Sequence, residues 1–331
     1  MRFPGRFADH LLPDRLDRVS LSFLVDDLVI RRGGVAANIS YGLGQLGLAP
    51  VLVGAAGSDF ADYRSWLEQH GVDCTNVLPS KVSHTARFVC TTDEDLCQIA
   101  SFYPGAMVEA ADIRLDDVII RSGRPDLVLV CADSPAAMMQ RAQECRRLGL
   151  PYAADPSQQL PRMSAVEVLE FVRGAWCLIT NEYEAALLRS TTGCGEEELL
   201  TSIEMIVTTL GENGVRIATR HGEPELVPAV APKEIVDPTG GGDAFRAGFF
   251  GGLLRRLPTG MAAQLGCTMA ALVLETSGTQ AYSVDPDEVF ERVTDTYGGA
   301  SGSLLAASLP MTVSPGPAPS TNAADRRHRR A

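Results

Sequence analysis

The chain has 331 residues, of which 45% are hydrophobic and 21% are charged, proportions that are ordinary for a soluble globular protein. Its formal net charge of -12 at pH 7 argues against a nucleic-acid-binding protein, because an acidic surface repels a polyphosphate backbone. No segment reaches the ~18 apolar residues of a membrane helix, and no apolar signal core follows the N-terminus, so we expect a cytoplasmic protein without membrane partners.

Most of the chain alternates between short apolar runs and longer stretches with the periodicity of an amphipathic helix. Ile39, Leu43 and Leu46 share one predicted helix face, and residues 60–70 and 135–148 show the same spacing. Strands that are apolar on both faces are typical of parallel sheets covered by helices. We therefore predict an α/β fold with a largely parallel sheet flanked by helices and ligands at the carboxyl ends of its strands. The predicted strands are residues 51–56, 127–132, 176–180 and 205–210.

Two stretches break this alternation, because residues 21–30 and 85–103 look like strands with no helix between them. Residues 93–95 (Asp-Glu-Asp) predict a hairpin turn within the second stretch. We therefore predict a small β-rich lid, made of residues 21–29 and 85–107, that projects from the main domain. The main α/β domain would comprise residues 30–84 and 108–298.

The two ends of the chain differ from the rest. Residues 1–20 contain no strand-like run and predict an irregular segment. Residues 299–331 are rich in Gly, Ser, Pro and Ala and finish with Arg-Arg-His-Arg-Arg-Ala, a composition that predicts a disordered tail.

A glycine turn at Asp237-Pro-Thr-Gly-Gly-Gly-Asp243 carries the clearest chemistry. Gly240, Gly241 and Gly242 precede a predicted helix that begins near Asp243, so their backbone N–H groups can turn toward one point. The helix N-terminus adds positive partial charge at the same point. The turn can therefore act as an anion hole for a phosphoryl group in a transition state. Asp243 can be a simple helix cap or a general base that takes a proton from an attacking hydroxyl, and the turn alone supports either reading.

This segment resembles the C-terminal signature of the ribokinase-like (PfkB) carbohydrate and nucleoside kinases. A second signature of that family resembles Gly33-Gly34-Val-Ala-Ala-Asn38, in the expected order along the chain. The resemblance implies a ribokinase-like fold, with Asp243 as general base beside an anion hole at 240–242. Gly34 and Asn38 would bind the hydroxyls of the acceptor, although Asn38 can also be an exposed helix residue that faces solvent.

Two further segments resemble the nucleotide side of the family. In Asn181-Glu-Tyr-Glu184 the glutamate would help to hold Mg²⁺, through water, and the asparagine would lie near the ATP phosphates. A capping box between the two residues explains the same spacing. In Thr209-Leu-Gly211-Glu-Asn-Gly214 the family places its turn under the ATP phosphates and ribose. No Walker A sequence is present, so the P-loop mechanism is not expected.

A monovalent cation is also implied by the resemblance, because many family members bind K⁺ beside the anion hole. Asp237 and Thr239 would hold it. Pro238 stands where threonine is common in the family, which departs from the usual cation site.

Several stretches resemble the actinobacterial adenosine kinases: residues 2–7, 19–27, 86–88, 100–107 and 154–160. By that resemblance Phe88 and Phe102 in the lid would sandwich the purine, although both can also be core residues of a small sheet. The polar edge of the purine would bond to Ser22, Gln158 and Gln159, and Arg162 would lie near the transferred phosphate.

The family's first apolar strand, which ends near an aspartate that binds sugar hydroxyls, precedes the region that Met1–Gly5 resembles. We therefore expect this strand and its aspartate to be missing from the chain.

Taken together, the motifs predict ATP-dependent phosphorylation of the 5′-hydroxyl of adenosine. The partners would be a nucleoside and ATP, and a homodimer could form through the lid. Two alternatives stay open: a PfkB-type kinase of ribose or fructose, and a truncated ligand-binding protein without catalytic activity.

Overall fold

The computed structural model describes residues 1–309 apart from residues 13–16, 19 and 96. The strands of this part of the chain are β1 (Gly54–Ala56), β2 (Val77–Pro79), β3 (Arg87–Thr92), β4 (Gln98–Tyr103), β5 (Val128–Val130), β6 (Tyr152–Ala154), β7 (Cys177–Asn181), β8 (Met205–Thr209), β9 (Val215–Thr219) and β10 (Glu225–Val227). Its helices are α1 (Val35–Gln45), α2 (Ala61–Gln69), α3 (Leu115–Ser122), α4 (Pro135–Leu148), α5 (Ala165–Val172), α6 (Glu182–Thr192), α7 (Glu196–Leu199), α8 (Gly241–Leu254), α9 (Thr259–Leu274), α10 (Pro286–Tyr297) and α11 (Gly299–Ser308).

A six-stranded sheet with the order β10-β9-β8-β7-β6-β5 forms the centre of the fold. Strands β5 to β8 are parallel, while β9 and β10 continue the sheet in antiparallel fashion. The prediction of a largely parallel sheet flanked by helices is confirmed. Because the carboxyl ends of β5 to β8 meet at one edge, the segments that follow these strands are gathered there.

Alternating side chains bury both faces of this sheet, as expected for parallel strands between helices. On β7, Leu178 packs on one face with residues of α4, α5 and α6, whereas Ile179 packs on the other with α8 and α9. Both side chains are at most 2% exposed. The sheet therefore supplies a rigid floor on which α8 is held.

Helix α8 makes unusually close contacts with α1 and α9. A Cβ added at Gly248 would lie 2.7 Å from the Cα of Gly266 on α9, and one at Gly42 on α1 would lie 2.5 Å from the Cβ of Ala247. Larger side chains at these glycines would force the helices apart. The contact between residues 42 and 247 is one turn along from that between Asn38 and Asp243, so α1 and α8 bring their N-termini to the same place.

The hairpin of the predicted lid is present, but the strand predicted to accompany it at residues 21–30 is not. Strands β3 and β4 form an antiparallel two-stranded sheet, as the hairpin turn predicted, and residues 1–3 bond to the β3 strand. The strand predicted at 21–30 is wrong: among the described residues this segment makes only one bridge, between Asp27 and Arg2. Arg2 also bridges Thr92, so it bonds to residue 27 on one side and to the end of β3 on the other.

The tail predicted to be disordered from residue 299 begins instead with helix α11, so that boundary is wrong. Gly302 lets α11 approach α10 closely, because a Cβ there would lie 2.1 Å from the Thr294 hydroxyl oxygen, and Leu305 is fully buried. Small residues that indicated disorder by composition thus serve helix packing. Residues 310–331, the rest of that prediction, lie outside the described residues. Among the described helices, none combines the length and the apolar character needed to cross a membrane.

Candidate active site

Helix α8 begins at Gly241, two residues before Asp243, where the sequence predicted its start. Gly240 is the N-cap residue, with a left-handed φ of 91°, and a Cβ there would also approach Thr279 to 2.8 Å. The N–H groups of Gly241, Gly242 and Asp243 lie in the first turn, where no intrahelical acceptor exists. No acceptor is paired with them in the described part of the chain, so they can bind an anion at the positive end of the helix.

Asp243 lies in this first turn, and its carboxylate is held by a residue from another helix. The side-chain Nδ2 of Asn38, on α1, donates to Asp243 Oδ2 at 2.7 Å. Asn38 Oδ1 accepts from the Thr279 hydroxyl at 2.8 Å and from Gln280 Nε2 at 2.9 Å. The solvent-facing reading of Asn38 is wrong, because the residue is 5% exposed. Its amide binds protein groups on both sides, and contact with an acceptor hydroxyl stays a prediction.

Burial raises the pKa of Asp243 to about 6, against the opposing effects of the Asn38 hydrogen bond and the charge of Arg246. The carboxylates of Asp155 and Glu184 add to the rise. A carboxyl group with this pKa is mostly ionised at neutral pH and still basic enough to accept a proton, which suits a general base.

A buried ion pair between Arg246 and Asp155 lies beside Asp243 and was not predicted from the sequence. Arg246, one turn further along α8, donates from Nη2 to Asp155 Oδ1 at 2.7 Å, and its Nε lies 2.7 Å from Oδ2. Both side chains are less than 8% exposed. Burial alone would lower the pKa of Arg246, but Asp155 holds it above its ordinary value. A charged residue within the otherwise apolar face of α8 was the signal that could have revealed this pair.

Asn181 and Glu184 form the capping box that their spacing allowed. The Asn181 backbone N–H donates to Glu184 Oε2 at 2.9 Å, and the Glu184 N–H donates to Asn181 Oδ1 at 2.8 Å. Burial raises the pKa of Glu184, while the hydrogen bond from Asn181 and the charge of Arg246 oppose that rise. Capping uses one carboxylate oxygen, which leaves the other available to a water-bound cation. The magnesium role itself stays a prediction.

Thr209 and the turn that follows it stand next to this capping box. Thr209 pairs with Asn181 across β7 and β8, so the two predicted nucleotide motifs share one edge of the sheet. Gly211 begins a short 3-10 turn. Gly214 has a φ of 89°, and a Cβ added to it would lie only 2.0 Å from the Val227 carbonyl oxygen. Glycine is therefore required at 214 to connect β8 to β9.

Asp237 already has a cationic partner. Its Oδ2 accepts from Arg31 Nη1 at 2.6 Å and from the Gly278 N–H at 3.1 Å, and its Oδ1 accepts from the Thr239 N–H at 3.0 Å. Burial by itself would raise the pKa of Asp237, but these hydrogen bonds and the Arg31 charge hold it below its ordinary range. No motif in the sequence indicated that Arg31 would reach this carboxylate.

In the lid, Phe88 and Phe102 are directly opposite each other on β3 and β4. They are 68% and 47% exposed, so the reading of both as core residues is wrong. Opposite residues of a hairpin have Cβ atoms ~5 Å apart and point the same way, so the two rings form one apolar platform rather than two facing walls. Contact with a purine stays a prediction.

The other predicted acceptor residues are dispersed. Ser22 is exposed in the segment before α1, and the remaining three follow β6 in the 3-10 helix Ser157–Arg162. Gln158 and Arg162 are exposed there, whereas Gln159 is 4% exposed and its side-chain oxygen lacks a partner within the described residues. Gly34 is the N-cap residue of α1 with a φ of 105°, and nothing lies within 4 Å of a Cβ placed on it, so its outer side is open to a ligand.

A family model, a curated relative and solved structures that match this chain are all kinases. The pfkB family of carbohydrate kinases matches residues 9–286. A nucleoside kinase of Methanothermobacter thermautotrophicus is 30% identical over 271 residues, which cover 80% of this chain and 85% of that protein. The structure of the Burkholderia thailandensis nucleoside kinase in complex with inosine superposes with a TM-score of 0.79 and 31% identity, covering 90% of this chain and 94% of that one. The same kinase in complex with ADP-inosine gives a TM-score of 0.77 and 32% identity over 90% and 92% of the two chains.

Proposed function

The chain belongs to the PfkB family of carbohydrate kinases, and from this premise we propose that it transfers the γ-phosphoryl group of ATP to the 5′-hydroxyl of a purine nucleoside. The observation that carries the proposal is the position of Asp243. Its partly buried carboxylate lies in the first turn of α8, beside the free N–H groups of Gly241 and Gly242. A base and an anion hole are thereby held within one helical turn.

In the proposed reaction the Asp243 carboxylate takes the proton of the attacking hydroxyl. The hydroxyl oxygen forms a bond to the γ-phosphorus, and the bond from that phosphorus to the bridging oxygen of the β-phosphate breaks, which releases ADP. The N–H groups at the start of α8 stabilise the charge that develops on the phosphoryl oxygens. Enclosure of the site by the lid would exclude water, which would otherwise compete as the acceptor.

Mg²⁺ fits beside Glu184, whose second carboxylate oxygen is not needed for capping. When bound there through water, the cation would neutralise charge on the ATP phosphates, and a single protein carboxylate suffices because the ion keeps most of its waters. Asn181, Thr209, Gly211 and Gly214 would contact the nucleotide from the same sheet edge.

The role of a monovalent cation has less support than the sequence suggested. The Arg31 guanidinium occupies the Asp237 carboxylate, where K⁺ was expected together with Thr239. We propose that Arg31 supplies the positive charge at this position, so that turnover does not require K⁺.

A purine nucleoside is favoured as acceptor for two reasons. One relative, the Burkholderia thailandensis nucleoside kinase, has been solved in complex with inosine and with ADP-inosine, which contain a purine nucleoside. The exposed platform of Phe88 and Phe102 offers a flat apolar surface on which any purine can stack. Adenosine is our first choice, with inosine as the nearest competitor.

The acceptor is tested by following ADP release and identifying the product with adenosine, inosine, ribose and fructose. We expect 5′-monophosphates of the two purine nucleosides and little turnover of free sugars. Phe88→Ala should raise KM for adenosine by about 5- to 150-fold, because base stacking contributes ~1–3 kcal/mol. Val89→Ala, on the opposite face of the hairpin, is the matched control. Faster turnover of ribose or fructose than of either nucleoside would replace the proposal with a sugar kinase.

A further inference from the structure

We infer that Trp66 is a positioning residue for Asp243, and that it acts through the side-chain amides of Gln280 and Asn38. The inference rests on the proposed role of Asp243 as the base. Three hydrogen bonds connect α2 to the N-terminus of α8: Trp66 Nε1 to Gln280 Oε1 at 3.1 Å, Gln280 Nε2 to Asn38 Oδ1 at 2.9 Å, and Asn38 Nδ2 to Asp243 Oδ2 at 2.7 Å.

The direction of every bond in this series is dictated by its first member. An indole N–H can only donate, so the atom of Gln280 that faces Trp66 must be the amide oxygen. The NH₂ group of Gln280 then faces Asn38, whose oxygen must accept it. Asn38 is left with its NH₂ group toward Asp243, which is the orientation that a carboxylate requires.

A second group fixes the same direction independently. The Tyr63 hydroxyl donates to the Gly33 carbonyl oxygen at 3.0 Å, and a carbonyl oxygen can only accept. The lone pairs of Tyr63 are therefore available to accept from Gln280 Nε2, which lies 2.5 Å away. The Thr279 hydroxyl also donates to Asn38 Oδ1. Gln280 and Asn38 are buried, so water does not easily replace a lost partner.

The orientation of Asn38 matters because the two ends of its amide act on Asp243 in opposite ways. An N–H that donates to the carboxylate stabilises the ionised form, whereas a carbonyl oxygen in the same place repels it. If Gln280 turns over, Asn38 is free to turn as well, and the ionised base is lost at a higher pH. The charged groups that also act on Asp243 are Arg246, Asp155 and Glu184. The other titratable groups near it are Cys131, Tyr63 and Tyr282, whose pKa values are raised by burial, so they stay neutral over the range of the test.

Packing holds the indole in place at the start of the series. The Arg32 guanidinium carbon lies 4.5 Å above the centre of the Trp66 ring, and the Tyr41 ring is parallel to it at 6.3 Å. Phenylalanine at 66 would keep much of this contact area but would remove the donor. Trp66→Phe therefore separates the hydrogen bond from the packing.

The test is the pH dependence of kcat/KM for adenosine in Trp66→Phe, Gln280→Met and the double variant. Each single change should move the acid limb upward by about 0.5–1 pH unit, because one unit corresponds to ~1.4 kcal/mol, comparable to a charge-assisted hydrogen bond. The double variant should match Gln280→Met alone, since Trp66 acts only through Gln280. Trp176→Phe is the matched control and should leave the acid limb unchanged, because Trp176 lies just before β7, at the amino ends of the parallel strands.

A second readout does not depend on activity. Titration of ¹³C-labelled aspartate carboxyls by NMR, with the Asp243 signal assigned from its loss in Asp243→Asn, should show the same upward shift in both variants. An unchanged Asp243 titration, or additive shifts in the double variant, would overturn the inference while leaving the proposed function intact. If the wild-type enzyme has no acid limb, or if Asp243→Asn keeps full activity, the proposed function itself fails.

Discussion

Asp243 combines two properties that oppose each other in the folded protein. Its carboxylate is mostly screened from water, which raises its pKa, and it is charged at neutral pH, which makes its burial unfavourable. A neutral residue at this position would avoid that cost, whereas the proposed base requires the ionised carboxylate.

Replacing this carboxylate should therefore stabilise the protein while it removes activity. The pKa of Asp243 is about 6 in the folded chain, above its ordinary value of 3.8, so its contribution to stability falls as pH rises from about 4 to 6. Asp243→Asn should raise the free energy of unfolding by about 1–3 kcal/mol at pH 7, and the gain should shrink toward about pH 4. Urea denaturation at both pH values measures this. A variant less stable than wild type at pH 7 would contradict the account.

The ion pair between Arg31 and Asp237 leads to a prediction about salts. Wild-type turnover should be the same in K⁺, Na⁺ or tetramethylammonium chloride at equal ionic strength, because the carboxylate already has its positive partner. Arg31→Met should create a dependence on K⁺, since Asp237 would keep only its backbone donors from Thr239 and Gly278. Strong activation of the wild type by K⁺ would show that a cation site exists despite Arg31.

Sequence motifs were sufficient to locate the glycine turn and Asp243 at the start of α8, and insufficient to find the residues that hold Asn38 and Asp243 in place. The Gly240–Asp243 turn could be predicted because its residue types are dictated locally, by the left-handed φ at Gly240 and by the free N–H groups of a helix start. Gln280 and Trp66 could not, because Gln280 bonds to Asn38 and to Trp66 across more than 200 residues of chain, and Trp66 reaches Asn38 only through Gln280.

At the scale of elements, helix α8 is held between the sheet and α1, and its N-terminal turn is fixed by charge as well as packing. Arg246 reaches from α8 to Asp155, just after β6, and also donates to Gly242 O at 3.1 Å. The pair joins the N-terminal turn of α8 to the carboxyl end of the sheet, so movement of the helix would require separation of two buried charges.

Arg246→Met should lower the free energy of unfolding by about 3–5 kcal/mol, because it leaves the buried carboxylate of Asp155 without its partner. The double variant Arg246→Met with Asp155→Leu should recover much of that loss, since an apolar pair of similar volume removes both charges. Equilibrium unfolding in urea measures both variants. A double variant as unstable as the single one would show that packing, rather than the unpaired charge, is responsible.

Helix α4 has strong local start and stop signals and was predicted well, whereas the strand predicted at 21–30 depended on a pairing strand that the sequence does not specify. Helix α4 was predicted to the residue, since Pro135 begins it, the Ser134 hydroxyl accepts from the Ala137 N–H, and Gly149 ends it in the left-handed conformation. Residues 21–30 look equally strand-like in sequence. They are not a strand because pairing is set by what lies alongside, and only Arg2 bridges this segment in the described part of the chain.

At the scale of the whole molecule, the hairpin of the predicted lid is largely exposed. A two-stranded sheet is marginally stable alone, and this one exposes apolar residues on both faces. One face carries Phe88 and Phe102, which we assign to the acceptor. The other carries Val89, Ile99 and Tyr103, which are 44%, 45% and 46% exposed.

We predict that two copies of the chain pair through this second face. Ile99→Lys should shift a dimer to monomer in sedimentation velocity experiments, because a charged side chain would be buried unpaired in the interface. Phe88→Lys, on the acceptor face, should leave the dimer intact and weaken nucleoside binding instead. A wild-type chain that is monomeric at all concentrations would exclude this pairing.

The central claim is that Asp243 is the base of a purine nucleoside kinase. It is tested most directly by transfer of the labelled γ-phosphoryl group of ATP to adenosine, compared between the wild-type chain and Asp243→Asn at pH 7. If Asp243 is the base, we expect labelled adenosine 5′-monophosphate from the wild type and a rate about 10²- to 10⁴-fold lower in the folded Asp243→Asn variant. Equal rates in the two proteins, or no transfer to any purine nucleoside by the wild type, would contradict it.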